Sequence, residues 1–335
     1  MFHSRKLRCL AAALMLTVAF GALGCGGGDK KAEPKKAPAK VSVGIVQLVE
    51  HAALDASNKG FVDGLASKGF KEGENITFDR QNAQADQSNL QNIAQRFINN
   101  KVNLIGAIAT PAAQTVANLT SDIPIVGMAI TDYKSAKLVK ENEKPGTNVT
   151  GTTDMNPVAD QLDLLLKLIP GAKTVGLIYC SSEVNSQIQG DMLKAAAKER
   201  GVAVKEATVS NVNDIQQAAR SLVGEVQGIY VPTDNVLASA MPTLAVVTEE
   251  AKIPVVPGEG GMAKAGGVAT LAVDYYKLGF QAGEMAADIL NGKSKPQDMA
   301  IQTQKEFKVV INMKEAEKIG LKIPEELLKG AEVVK

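Results

Sequence analysis

Ser121–Asp132 reads SDIPIVGMAITD, an apolar run that stops at two hydrogen-bonding side chains, Thr131 and Asp132. Ile123, Ile125, Val126 and Met128 have the near-continuous apolar character of a strand covered on both faces. A close echo, IPVVPG, runs from Ile253 to Gly258 and stops at Glu259. The two Ile-Pro pairs stand 130 positions apart. A second echo, SVGIVQLVE from Ser42 and TVGLIYCSSE from Thr174, puts Val175-Gly176 132 positions after Val43-Gly44. Two matched offsets in the same order predict two similar lobes.

Between these landmarks, strands alternate with amphipathic helices. VSVGIVQLV, NITFDRQ, VNLIGAIA and IPIVGMAI read as strands; Ala56–Lys68, the segment of Leu90, Ile93, Ala94 and Phe97, and the segment from Ala112 read as helices. The second series has TVGLIYC, VAVKEATV, GIYVP and IPVVP with helices between. Such βαβ alternation predicts an α/β fold of two Rossmann-like lobes with parallel sheets. Residues 267–335 are too short for a third domain and are expected to complete the two lobes.

In open α/β sheets, ligands bind beyond the carboxyl ends of the strands. The residues there are Gln47–His51 (including Glu50), Thr110, Thr131, Asp132, Ser181, Ser182, Asn185, Thr233, Asp234, Asn235 and Glu259. Each is also a residue type that caps helices or turns, but the set recurs in both lobes.

The amino terminus has a different role. Arg5, Lys6 and Arg8 precede an apolar stretch from Leu10 to Leu23, the pattern of an export signal over residues 1–24. GALGC then resembles the bacterial lipoprotein processing box, with Ala22 where that pattern usually has leucine, and implies lipidation at Cys25. Gly26–Lys40 lacks large apolar side chains, so 25–40 reads as a lipidated tether. Loss of residues 1–24 removes three of 37 basic residues and none of 36 acidic ones, leaving a formal charge of −2. That balance argues against a nucleic-acid partner. With Cys25 lipidated, only Cys180 remains, and no intramolecular disulfide forms.

The segments GIVQLVEHAALD, GFVDGLASKGF, NLIGAIATPAAQ, IPIVGMAITD, NVTGTTD, YVPTDN and LAVDYYKLGFQAG together resemble the ABC-transporter substrate-binding proteins of the tryptophan/tyrosine type. These belong to the type I periplasmic-binding fold. The likeness spans Gly44–Gly283; Ala52 departs from it, standing where the family often has proline. It implies a three-stranded hinge, with crossovers expected near 150–154, 272–274 and 297–302. The lobes are then 41–151 plus 275–297, and 152–273 plus 298–335. It further implies an exported, lipid-anchored receptor, expected as a monomer, that closes on a small ligand and delivers it to a permease with its ATPase. No cofactor or metal is implied.

A zwitterionic amino acid needs acceptors for its ammonium and donors for its carboxylate. Glu50, Asp132, Asp234, Glu259 and Asp274 are the candidate ammonium partners. Thr110, Ser181, Ser182 and Asn185, with helix N-termini, suit the carboxylate. Tyr275 and Tyr133 are candidate walls of an apolar pocket, with Leu48, Val49, Met128, Ile130 and Met262. The absence of tryptophan speaks against a sugar stacked on indole, as is common in this fold.

Two other functions compete. A sensor of the same fold would pass its closed form to a signalling partner. A hydrolase would have to use His51 with Ser181 and Asp132, but there is no Gly-x-Ser-x-Gly elbow, and His51 reads as a turn or cleft residue. The glycine-rich GEGGMAKAGG, Gly258–Gly267, has neither Walker nor Rossmann spacing and reads as a flexible turn.

Overall fold

The computed structural model of the chain describes residues 40–335. The export signal, Cys25 and all of the tether but Lys40 lie outside the described residues. The first series comprises β1 (Val41–Gln47), α1 (Ala52–Ser67), β2 (Ile76–Asn82), α2 (Gln87–Asn99), β3 (Leu104–Ile108), α3 (Thr110–Leu119), β4 (Ile125–Ile130) and β5 (Val149–Thr153). The second comprises α4 (Val158–Leu168), β6 (Thr174–Cys180), α5 (Val184–Glu199), β7 (Ala203–Val209), α6 (Ile215–Leu222), β8 (Gly228–Val231), α7 (Asn235–Ser239), α8 (Met241–Ala251) and β9 (Val255–Pro257). The remainder carries α9 (Gly260–Lys264), β10 (Ala269–Ala272), α10 (Tyr275–Leu290), β11 (Gln302–Thr303), β12 (Lys308–Asn312) and β13 (Glu332–Val334).

The strand orders bear out the echo. The first sheet runs β2-β1-β3-β4-β5-β11 and the second β7-β6-β8-β9, so β1 and β6 occupy equivalent places, as do β4 and β9. Every pairing within these two sheets is parallel. A third sheet, β10-β12-β13, continues the second lobe through a hydrogen bond from the Val268 N–H to the Val255 carbonyl, 2.8 Å.

Local chemistry explains the elements. Asp86 caps α2 by accepting from the Asn89 N–H at 2.8 Å, and Leu90, Ile93, Ala94 and Phe97 form its buried face. Gly44 in β1 leaves room for the Phe97 ring, which a Cβ there would overlap. The α1–α10 pair is closer still. Gly60 and Gly64 on α1 face Gly279 and Gly283 on α10, and a Cβ at any of the four would overlap a carbonyl oxygen of the opposite helix. The two backbones therefore touch, fixing α10 to the first lobe.

The chain passes between the first sheet with its helices and the second and third sheets three times: after Thr153, after Ala272 and after Thr303. Gln302–Thr303 pairs with Thr152–Thr153, so residues 298–303, expected with the second lobe, run to the end of a strand of the first. The segment expected as a flexible turn is different too. Gly260–Lys264 is a short helix, because the Glu259 carboxylate accepts from the N–H groups of Gly261 and Met262 and Met262 packs into the core. Helix α1 begins at Ala52, four residues before the sequence pattern places it.

Candidate functional site

The run that opens with Ser121 ends at the middle of the molecule. Thr131, just past β4, is buried and donates its hydroxyl to Asp154 Oδ1 at 3.1 Å. Its oxygen also lies 3.3 Å from Thr233 Oγ1, just past β8 of the other lobe. Gln189 on α5 joins the two, donating from Nε2 to Thr131 Oγ1 at 3.2 Å and to the Thr233 hydroxyl, while its Oε1 accepts the Thr233 N–H at 3.1 Å. Farther along, His51 Nε2 lies 3.2 Å from Asn235 Oδ1, a second bridge between lobes.

Beside them lies a narrow cavity of about 10 Å³, lined by His51, Leu54, Ala129, Thr131, Asp154, Asn185, Thr233, Asp234, Asn235, Ala238, Glu259 and Tyr275. Glu259 and Tyr275 also border a larger, hinge-end chamber of about 240 Å³, walled by small side chains of α1 (Ala52, Ala53, Ala56) with Val273 and Tyr276. The two spaces share Glu259 and Tyr275 in their walls, and the larger is also lined by Lys264 and Lys308.

The cavity lining holds three carboxylates and no lysine or arginine. Burial pushes Asp154 up to about 6, although Tyr275 and Thr131 donate hydrogen bonds to it. Behind it, burial and then the neighbouring Asp234 push Glu183 up to about 8, against donors from Asn185 and Asn235. Burial raises Asp234 as well. These acids are otherwise well tied: Glu183 accepts the N–H groups of Asn235 and Val236 at the start of α7. Asp234 accepts from the Cys180 N–H at 2.6 Å, the Ser186 hydroxyl at 2.7 Å and the Leu237 N–H at 2.8 Å.

Among the described residues, four buried side-chain polar atoms have no partner: His51 Nδ1, Thr110 Oγ1, Asn156 Oδ1 and Asn185 Oδ1. A buried unmet polar atom is costly. Two of the four belong to residues of the cavity wall, His51 and Asn185. Backbone strain gathers nearby. Ala109, before α3, has φ +85° and Ala129 has φ +54°, the latter at a register shift between β4 and β5. Alanine in this region is strained.

Of the residues singled out from the sequence, Thr131, Asn185, Thr233, Asp234, Asn235, Glu259 and Tyr275 line the cavity. The others lie elsewhere. Gln47 is tied to Asp55 and Asn58 at the first turn, and Glu50 is exposed. Thr110 is buried at the start of α3. Asp132 caps its own turn through the Lys134 and Ser135 N–H groups. Ser181 and Ser182 are exposed, and Ser182 borders an outer groove with Gln87, Gln91 and Gln114. Asp274 caps α10 beside the hinge-end chamber. Tyr133 is fully buried and donates to the Thr152 carbonyl at 3.0 Å. Leu48, Met128, Ile130 and Met262 belong to the cores, not the cavity wall. His51, Ser181 and Asp132 bond to other groups and not to one another.

Asp154, Gln189, Glu183 and Ala129 escape the sequence pattern. Asp154 ends NVTGTTD and carries the same strand-end signal as Asp132, but its place in a crossover hides it. Gln189 sits mid-helix, where no strand-end rule reaches. Among the described residues, no group of three His, Cys, Asp or Glu is placed to hold a metal ion, and no helix is long and apolar enough to cross a membrane.

Residues 42–335 match a family model described as ABC transporter substrate binding protein. A protein named tyrosine-binding protein from Clostridioides difficile is 44% identical, over 93% of this chain and 91% of its own length. A Streptococcus pneumoniae ABC domain solved in complex with L-Trp is 38% identical and superposes with TM-score 0.85, covering 89% of this chain and all of that one. A ligand-free, open substrate-binding protein from Clostridium difficile is 45% identical with TM-score 0.68, covering 88% of this chain and 99% of that one. Identity would order these two structures the other way. In overall arrangement this chain is nearer to the L-Trp complex than to the open protein.

Proposed function

This chain belongs to the ABC transporter substrate-binding protein family, and on that premise we propose that it is the extracytoplasmic receptor of an importer for an aromatic or other apolar amino acid. The carrying observation is the cavity itself: it lies where the strand ends of two like sheets meet, with carboxylates in its wall and no side-chain cation. The tyrosine-binding relative and the L-Trp complex support an aromatic ligand. The ammonium lies in the narrow cavity between Asp154 and Asn185, and the side chain extends past Tyr275 into the hinge-end chamber along α1.

The three crossings between lobes, at 153–158, 272–275 and 303–308, are the hinge. Thr131 meets Thr233 and Gln189, and His51 meets Asn235, only when the lobes are together. Ligand favours that form by its differential affinity for it. A permease then reads the closed pair of lobes, with the receptor held at the membrane through Cys25.

Because the chain contains no tryptophan, selectively excited indole emission in a mixture with L-tryptophan comes from the ligand alone. Titrating protein into L-tryptophan is expected to raise its emission anisotropy saturably, at one ligand per chain, with L-tyrosine displacing it. Anisotropy that stays at the free-ligand value, with no heat of binding for L-tyrosine, defeats the reading.

A further inference from the structure

Asp154 and Glu259 enter the narrow cavity from opposite lobes. Asp154 follows β5 of the first sheet, and its carboxylate accepts the hydroxyls of Thr131 and Tyr275, at 3.1 and 2.8 Å, both on the same side of the cleft. Glu259 follows β9 of the second sheet and accepts the Gly261 and Met262 N–H groups. Each is 3% exposed, and both lie in the cavity wall. Closing the lobes therefore takes two carboxyl groups out of water and turns them into one small space.

Little around them offsets the charge. Tyr133 and Tyr275, on the Asp154 side, are phenols that burial keeps neutral. Asp234, at the start of α7, adds a third carboxyl, with Glu183 behind it on the Asn235 and Val236 N–H groups. Lys264 and Lys308 line only the adjoining chamber, where Lys264 pairs with Glu332 at 2.5 Å and Lys308 lies 3.9 Å from Asp274. Among the wall residues, His51 alone can become cationic. Its Nε2 lies 3.2 Å from Asn235 Oδ1, and its Nδ1 has no partner.

The contacts that join the lobes, Thr131 with Gln189 and His51 with Asn235, run directly between side chains. Nothing in them ties closure to ligand; the carboxyl groups do. Like charges sharing a desolvated site resist ionising together. Burial pushes Asp154 up to about 6, and Glu259 adds to the push. Parting the lobes exposes the Asp154 side of the cavity to water and returns that acid toward its ordinary 3.8. An acid with the higher pKa in the closed form favours closure when protonated and opposes it when ionised.

We propose that Asp154, set against Glu259 across the cleft, keeps the empty lobes apart, and that either a cationic group of the ligand or a proton on Asp154 releases them to close. An empty closed form is then scarce at neutral pH and accumulates in acid. This rests on the hinge in the amino-acid reading and adds to it a condition on the protein before ligand arrives.

Small-angle X-ray scattering of the purified, ligand-free protein between about pH 8 and about pH 5 tests it. The radius of gyration is expected to fall with pH toward that of the ligand-saturated protein, as the closed-to-open ratio rises about tenfold. Asp154→Asn keeps the shape of the side chain without its charge. That variant is expected to raise the ratio about a hundredfold over the parent at pH 8 and to lose the response to pH. His51→Gln keeps a donor for Asn235 and is expected to keep the response. A parent radius that ignores pH while L-tyrosine or L-tryptophan contracts the protein overturns the proposal and leaves the receptor reading in place. An Asp154→Asn protein as open as the parent, or a response abolished in His51→Gln, overturns it equally. Contraction with neither acid nor ligand overturns the hinge itself. Should Asp154→Asn fail to fold, the parent and His51→Gln series decide.

Discussion

The two lobes share a strand order and differ in what they present at the strand ends. In the second lobe, Asp234 caps α7, Glu259 caps α9 and Glu183 accepts two further N–H groups of α7. In the first, α1 and α3 begin at His51 and Ala109 with no side-chain cap, and Thr110 and His51 keep unmet polar atoms. After β8 and β9 the second lobe thus presents carboxylates that satisfy helix N–H groups, whereas after β1 and β3 the first lobe leaves a ring nitrogen and a hydroxyl unmet. A repeated scaffold thus carries different polar groups after equivalent strands.

Helix packing within each lobe offers the sharpest way to break the comparison. The first lobe holds α10 by backbone contact at Gly279, where an added Cβ would overlap the Ser57 carbonyl. Gly190 on α5 of the second lobe is roomier: the nearest atom to an added Cβ would be Leu177 Cδ2, at 3.2 Å. Gly279→Ala is expected to cost about 3 kcal/mol or more through overpacking against backbone. Gly190→Ala should be within about 1 kcal/mol of neutral, since helix propensity favours alanine. Thermal and urea unfolding of both variants checks this, and equal costs would contradict the asymmetry.

Asp154 gives the next effect, and its sign follows from burial. Its pKa is about 6 in the fold against an ordinary 3.8. Between those values the native protein holds a proton that the unfolded chain has released, so this group's contribution to stability falls as pH rises. The shift is equivalent to about 3 kcal/mol. Asp154→Asn is therefore expected to gain stability relative to the parent as pH goes from 4 to 7, measured by denaturant midpoints across that range. A difference independent of pH would mean the carboxyl titrates normally.

Glu183→Ala should cost about 2 kcal/mol, because the Asn235 and Val236 N–H groups lose their acceptor inside the fold. Thr110→Val in the first lobe removes a hydroxyl that has no partner and should change stability by no more than about 0.5 kcal/mol. Parallel urea titrations measure the pair. A larger loss in Thr110→Val than in Glu183→Ala would reverse the assignment of capped and uncapped lobes.

Much of the scaffold is legible in the sequence because it is periodic. The Val-Gly and Ile-Pro echoes pair β1 with β6 and β4 with β9, and the strand-end rule points to Thr131, Thr233 and Glu259. What escapes is non-local or invisible in residue type. Gln189 reaches the site only because α5 crosses beneath both threonines. Ala129 carries its positive φ under an alanine code, for which sequence gives no sign, and the register shift that creates it depends on β5. Asp132 and Asp154 each follow a strand of the same sheet, yet only the second turns inward; Asp132 satisfies its own turn. A strand-end carboxylate thus marks a place to look, and the partner that claims its oxygens decides its use.

The central claim is that an amino-acid ligand draws the two lobes together. Small-angle X-ray scattering from the purified protein, with and without saturating L-tyrosine or L-tryptophan, tests it most directly. The account predicts a smaller radius of gyration with ligand, and a profile matching the lobe arrangement described above. A ligand that binds in calorimetry yet leaves the scattering profile unchanged would contradict it.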